Sequence, residues 1–563
     1  MNRRDAFAVL RQRPGISVLI VGAGINGIGT FRDLALNEVD VLLIDRADFC
    51  SGASAASSHM AHGGIRYLEN GEFRLVREAV QERNCMIVNA PHIVRPLPTT
   101  IPIFHLLSGL LNAPLKFLGF LDRPSERGSL VIKIGLMLYD AYTGRQGTVP
   151  RHRFMNRQES LSRWTKLNAA VLHTATYYDG AILQPERLGL ELILDAEAEN
   201  AKALALNYVS LVRQSGGAVV LRDELKSETY EVRPRILINA TGPWIDFTNR
   251  VMGCNTHFIG GTKGSHLVLD HPELRQAIGD HEFFFENKDG RIVLIFPLYD
   301  RVLVGTSDLA VDDPDSARCT EEEVGYFLEL VKRVFPTIDV SRSQIVFRFS
   351  GVRPLAASSS KTTGQITRDH EIQVAETAQT SLPFPIYSLV GGKWTSWRAL
   401  SEQVTDRCLA HLGISRKVNT RGLSIGGGRG YPASAEDRKS MLQRIADNVQ
   451  GSIQRAEALF ERYGTRALEV IEFVAAGSDE PLSTLPEYSR REIDFLATHE
   501  KVVHLDDVLL RRSMLAMLGH ATREAVLEIA DVLSGNLMWD ADRKGVEIAR
   551  TLEILKDEHQ VEF

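Results

Sequence analysis

The 563-residue sequence predicts an α/β fold: a parallel sheet with helical crossovers, a second, antiparallel sheet, and a helical C-terminal unit. Three observations predict it. Two short apolar runs, Ile16–Val21 and Val39–Ile44, enclose a stretch of helical character, and strands buried on both faces read in this way. A later series, His266–Leu269, Arg291–Phe296 and Val302–Asp308, reads as an antiparallel sheet. From Ala433 to Glu562 the chain is rich in helix formers, with apolar residues three and four apart.

The bulk composition limits the function classes. With 44% hydrophobic and 24% charged residues the chain is an ordinary globular one, long enough for three or four units of about 150 residues. A net charge of −6 argues against nucleic acid as a partner, because a phosphate backbone wants a basic surface. Cys50, Cys85, Cys254, Cys319 and Cys408 are far apart and show no CxxC or Cys/His spacing. They are expected to be reduced thiols of a cytoplasmic protein, with no metal site. The first fifteen residues are polar and basic and lack the apolar region of a secretory signal. No clean apolar run is long enough for a spanning helix.

The first strand runs directly into Gly22-Ala-Gly24-Ile-Asn26-Gly27, and the second ends in Asp45-Arg46. The three glycines serve different ends. Gly22 permits the tight turn, Gly24 lets backbone approach a pyrophosphate, and Gly27 lets helix and strand pack closely. The helix N-terminus offers free N–H groups to phosphates, and Asp45 can accept hydrogen bonds from a ribose diol. The glycine pattern alone is weak; strand, motif, helix, strand and terminal acid together predict a dinucleotide site. Next comes a hydroxyl-rich run of small residues, Ser51 to Gly64, containing Ser54, Ser57, Ser58, His62 and Gly63. Such a run can lie along a flavin, which favours FAD over NAD. Further on, Arg235–Ala240-Thr241-Gly242 is a buried strand followed by a turn that brings backbone to the dinucleotide.

At VGAGINGIGTFRDLA, SGASAASSHMAHGGIRYLE, FRLVREAVQER and NAPHIVRPL the chain resembles the FAD-dependent glycerol-3-phosphate dehydrogenase family. Where the family has Lys-Leu-Ile before His-Gly-Gly, this chain has His59-Met60-Ala61. The resemblance implies a two-dinucleotide-binding-type FAD domain with an inserted antiparallel-sheet substrate (cap) domain and a C-terminal helical domain. The expected division is 15–100, 170–250 and 345–412 for the FAD domain, 101–169 and 251–344 for the cap, and 413–563 for the helical domain. Within the first, Asn207–Val212, including Val209, is expected to return to the FAD sheet after a helix from Leu188 to about Leu204. Gly426–Gly430 reads as a hinge or linker.

The candidate chemistry follows. Arg353 in Ser-Gly-Val-Arg-Pro, Arg368 in Thr-Arg-Asp, and Lys393 in Gly391-Gly392-Lys393-Trp394-Thr395 match the family pattern, and a phosphate ester needs several cations. Arg66 and Tyr67 would complete the substrate pocket. By resemblance His266, in Lys-Gly-Ser-His, is the first candidate for the base that takes the hydroxyl proton, with His62 its rival. Arg353 and Lys393 would bind or polarise the reacting group, and Gly392 to Thr395 would also face the flavin. The implied reaction is oxidation of sn-glycerol 3-phosphate to dihydroxyacetone phosphate, with electrons passing to a quinone. Alternatives are a longer polyol phosphate, such as erythritol phosphate, and oxygen as acceptor. The apolar but interrupted segment Ile101–Leu121 suggests either cap core or contact with a membrane interface. The expected location is therefore cytoplasmic or peripheral on the inner face of the membrane, and the helical domain reads as either structural or a surface for self-association.

Overall fold

The computed structural model describes residues 3–65, 72–105, 132–133, 135–137, 139–140, 147–287, 291–357, 369–380, 382–449 and 452–563. Strand Gly15–Val21 lies in parallel register between Val41–Ile44 and Glu228–Asn239. Ala203–Leu206 extends this sheet on one side, and Ile386–Val390 on the other. Alternation decides which side chains go where. Val18 and Ile20 pack under Ile28, Phe31 and Leu34 of helix Ile25–Leu36, together with helices Pro185–Glu199 and Trp397–Leu412. Leu19 and Val21 pack on the opposite side against Phe7 and Leu10 of helix Arg3–Gln12.

Two elements differ from expectation. The predicted helix Leu188–Leu204 is Pro185–Glu199, because Asn200 leaves helical geometry and its amide ties Ala35 O and Val39 O. Residues Ala203–Leu206 then form the edge strand. The strand expected at Asn207–Val212 is Val209–Ser215, which joins an antiparallel arm with Ala218–Asp223 and the start of Glu228–Asn239 rather than the parallel sheet. Its first residue still meets that sheet's carboxyl edge, where Val209 N–H donates to Asp45 O at 2.7 Å.

Among the described residues the second sheet has ten strands and is mostly antiparallel. Its centre runs Thr262–Leu269, Arg301–Gly305, Ile292–Leu298, Glu282–Glu286, Val94–Ile103, His173–Ile182, with Ile345–Arg353 on the far side of Thr262–Leu269. The sequence places Val94–Ile103, His173–Ile182 and Ile345–Arg353 wholly or largely in the FAD unit; their pairing puts them in this sheet. Of Ile101–Leu121, residues 101–103 end a strand, and those from 106 onward lie outside the described residues.

The helices after residue 434 bury one large apolar cluster that also takes in Leu294, Phe296, Leu303, Phe347 and Phe349 of the second sheet. The expected hinge Gly426–Gly430 is instead a joint whose first three glycines are buried. A Cβ on Gly427 would stand 2.0 Å from Tyr463 O, and one on Gly428 2.3 Å from Asn89 O. These glycines serve close packing rather than freedom of movement. Among the described residues no helix is long and apolar enough to cross a membrane.

Candidate active site

A single cleft of about 1500 Å³ runs between the carboxyl edge of the parallel sheet and the inner face of the second sheet. Its floor is the glycine turn. Gly22 has φ +102°, and a Cβ there would lie 2.6 Å from Ala240 O. A Cβ on Gly27 would lie 2.0 Å from Gly22 O, so that residue supports the turn from beneath and does not face the cleft. Gly24 meets nothing nearer than Ser54 Oγ at 3.1 Å, which leaves backbone open to a ligand. Ser54 Oγ accepts from Ile25 N–H at 2.9 Å and so fixes the serine-rich loop over the helix N-terminus. Asp45 accepts from Ala23 N–H at 2.7 Å and from Ala47 N–H at 3.0 Å. Burial raises its carboxyl to about 6, with those two backbone donors opposing.

The walls come from distant segments. Asn26 Nδ2 donates to Gly391 O at 3.2 Å, and Gly392, at φ +91°, has no room for a Cβ beside that amide. Trp394 Nε1 donates to Ser54 O at 3.0 Å, and His62 N–H donates to Thr395 Oγ1 at 3.1 Å. Ser57, Ser58, Gly64, Val209, Ala240, Thr241, Gly242 and Lys393 also line the cleft. Gly63 does not: its N–H is spent on Asp179 at 2.8 Å, and Tyr139 packs where a Cβ would be. Arg46 stands at the rim, half exposed, over the Trp244 ring and paired with Asp315 at 2.5 Å.

The roof carries the candidate base and a candidate cation. His266 is buried, flat against Phe349 with ring centroids 4.8 Å apart, and its Nε2 lies 2.9 Å from Ser58 Oγ. Burial, reinforced by Arg353 and His59, holds its pKa well below the ordinary value, so the ring is neutral at neutral pH. Gly305 makes the space, since a Cβ there would be 2.2 Å from the imidazole. Arg353 reaches the same cleft and is aimed by Thr306 Oγ1 (2.9 Å), Ser307 O (3.1 Å) and Asp308 (3.1 Å). Beneath them Glu323 accepts from Ser307 Oγ at 2.5 Å, Ser265 Oγ at 2.8 Å and Lys263 Nζ at 2.8 Å. The lysine of Lys-Gly-Ser-His is therefore a brace and does not line the cleft.

The structure thus brings His266, Arg353 and Lys393 to one cleft with the glycine turn. Arg66, Tyr67 and Arg368 lie outside the described residues. Sequence reasoning gives no role to Ser58 as the partner of His266, to Thr306–Asp308, or to Asp179, which lines the cleft and is held by Arg83 and Tyr139. Signals are present in Tyr-Tyr-Asp-Gly and Gly-Thr-Ser-Asp, but nothing local says that they meet.

The shape and donors fit a dinucleotide: two glycines with no room or no need for a Cβ, a helix N-terminus at the floor and an acid at the second strand's end. The comparisons agree. A family model described as FAD dependent oxidoreductase matches residues 17–375. The glycerol-3-phosphate dehydrogenase of Synechocystis sp. (strain ATCC 27184 / PCC 6803 / Kazusa) is 31% identical, over 97% of this chain and 97% of its own length. The chain belongs to the FAD-dependent glycerol-3-phosphate dehydrogenase family. A second model, the C-terminal domain of alpha-glycerophosphate oxidase, matches residues 418–544. The aerobic glycerol-3-phosphate dehydrogenase of Escherichia coli (strain K12) is 28% identical, over 90% of this chain and 95% of its own. The same fold occurs in the glycerol-3-phosphate dehydrogenase from Bacillus halodurans complexed with FAD, with a TM-score of 0.75 at 22% identity, covering 98% of this chain and 97% of that one. FAD is the cofactor of this FAD-dependent dehydrogenase, and the mixed α/β fold with a C-terminal helical domain is the one the sequence predicts.

Proposed function

We propose that the protein oxidises sn-glycerol 3-phosphate to dihydroxyacetone phosphate and passes the electrons to a quinone-type acceptor. The observation that carries this reading is the convergence of a neutral buried histidine and an arginine on the cleft that holds the glycine turn. When bound, FAD supplies a two-electron acceptor for the hydride that leaves the alcohol carbon. The chain supplies the rest. Arg353, pre-aimed by Thr306, Ser307 and Asp308, and Lys393 grip the phosphate or polarise the reacting oxygen. His266, neutral and held by Ser58, takes the hydroxyl proton at Nε2, where the substrate oxygen displaces the serine as its partner. The roof sheet excludes water and holds both groups at fixed spacing.

Two features support a membrane-facing location: the relatives named aerobic dehydrogenases and the apolar character of residues 101–121. Anaerobic mixing of the purified yellow protein with sn-glycerol 3-phosphate, erythritol 4-phosphate and glycerol tests the substrate. Bleaching that is fastest with glycerol 3-phosphate is expected; faster bleaching by the longer ester, or none by either, overturns the assignment. Reoxidation by a soluble quinone without peroxide is expected for the acceptor, and peroxide production under air would point to an oxidase.

A further inference from the structure

Helix Pro185–Glu199 starts at the carboxyl edge of the parallel sheet, packed beside the glycine-turn helix Ile25–Leu36. Glu186 stands in its first turn. The residue is 6% exposed and lines the cleft. Among the described residues its carboxyl is bonded only by its own backbone amide. The cation that faces it is Arg511, already committed to Asp48 at 2.9 Å and Asp506 at 3.0 Å. On its own helix, Arg187 turns away to Glu500 and Arg512 O. From the loop above, the Cys50 thiol lies beside it, with Asp45 and Asp48 adding negative charge to the same neighbourhood.

A carboxylate enclosed in this way would be costly, and the protein keeps the group as the acid: burial pushes Glu186 up to about 8. A carboxylic acid carries an O–H donor, and Glu186 lines the cleft that would hold the dinucleotide. In sequence Cys50 lies between Asp45, at the second strand's end, and Ser54 of the serine-rich loop, which accepts from Ile25 N–H at the start of the glycine-turn helix. The acid is therefore set beneath the loop that joins the two anchors of the dinucleotide site. A charged carboxylate there would repel a diphosphate; a neutral acid can donate to one of its oxygens.

We propose that Glu186 is a cofactor-binding residue whose carboxylic acid donates a hydrogen bond to an oxygen of bound FAD. The proposal rests on FAD occupying this cleft and adds a donor that neither the glycine motif nor the serine-rich loop supplies. It also makes affinity fall as pH rises, because the unliganded protein loses the donated proton on the alkaline side.

The test is FAD binding to the apoprotein, followed by quenching of flavin fluorescence from pH 6.5 to 9.5, in wild type, Glu186→Gln and Glu186→Ala. For wild type, Kd is expected to be level below about pH 7.5 and to rise about tenfold per unit above about pH 8. Glu186→Gln, a donor that does not titrate, should stay within about threefold of wild type at pH 7 and remain level throughout. Glu186→Ala should bind about tenfold more weakly at pH 7, also without pH dependence. A level wild-type profile, or a Glu186→Gln profile that rises like wild type, overturns the proposal. If a variant fails to fold, the wild-type profile alone decides between these outcomes. No binding of FAD by wild type at any pH is a different result, which removes FAD from the cleft altogether.

Discussion

His266 and Arg353 show how little of a site is a matter of residue type. A histidine in a strand is usually a core residue; this one faces a cleft because Gly305 leaves room for its ring and Ser58, 208 residues away in sequence, holds its Nε2. Its depressed pKa sets the pH behaviour. With His266 as the proposed base, the neutral form would take the proton, and activity should be lost only as pH falls through the folded pKa, which lies well below the ordinary 6.5. Flavin reduction by substrate should therefore be level from pH 8 down past 6.5, with its acid limb below the usual histidine range. A limb centred at 6.5 or above in stopped-flow traces would remove His266 as the titrating base. His266→Ala should slow that step by about 10²–10⁴-fold while the protein stays yellow. Arg353→Ala removes a charge-assisted contact of about 1.5–3 kcal/mol, so KM should rise by roughly one to two orders of magnitude with FAD retained. Flavin loss equal to the loss of substrate affinity would argue that Arg353 serves the fold. The motif around each of these residues is legible in the sequence. Their partners are not, because Ser58, Thr306 and Asp308 are ordinary polar residues until folding places them.

The strand–glycine turn–helix unit is readable because its constraints are local. Positive φ at Gly22 and backbone contact at Gly27 follow from the turn itself, whatever the rest of the chain does. Gly27→Ala would put a methyl 2.0 Å from Gly22 O, and the turn would have to shift. The expected outcome is soluble, colourless protein, assayed by the ratio of flavin to protein absorbance; full occupancy would refute the role given to that glycine. Gly426 to Gly428 carry a similar composition but for a different reason. Composition alone reads as a flexible link, whereas the tight contacts with Tyr463 and Asn89 make it a packed joint. Gly427→Ala should destabilise by about 1–3 kcal/mol through overpacking, visible as a lower melting temperature. An unchanged melting temperature would restore the hinge reading. Strand Val209–Ser215 departs from its expected place for a related reason: alternation identifies a strand without naming its neighbour.

At the scale of the whole chain, the helical domain is fastened to the dinucleotide fold by a buried ionic joint. Asp48, between the second strand and the serine-rich loop, accepts from Arg512 at 2.5 and 3.0 Å and from Arg511 at 2.9 Å. Burial alone would raise Asp48, but the two guanidinium groups hold it down at about 2. A folded pKa below the ordinary 3.8 stabilises fully above 3.8, and that contribution disappears as pH falls toward about 2. Asp48→Ala would leave the buried Arg512 guanidinium without its carboxylate and Arg511 with Asp506 and Asp507, at a cost of about 3–5 kcal/mol. Faster hydrogen exchange in the C-terminal helices and quicker FAD release are expected, and unchanged exchange in residues 490–560 would show that the joint is not what fastens them. By itself, the sequence determined the identities of the elements, the dinucleotide turn and the cations available for an anionic substrate, because hydrophobic period, glycine stereochemistry and side-chain charge are properties of a few consecutive residues. Only the tertiary structure decided that Ser58 meets His266, that Lys263 braces rather than binds, that three glycines form a joint and that Asp48 closes on Arg512 across 464 residues. Those pairings depend on how whole layers pack, and no local pattern encodes which distant partner will fill a given space.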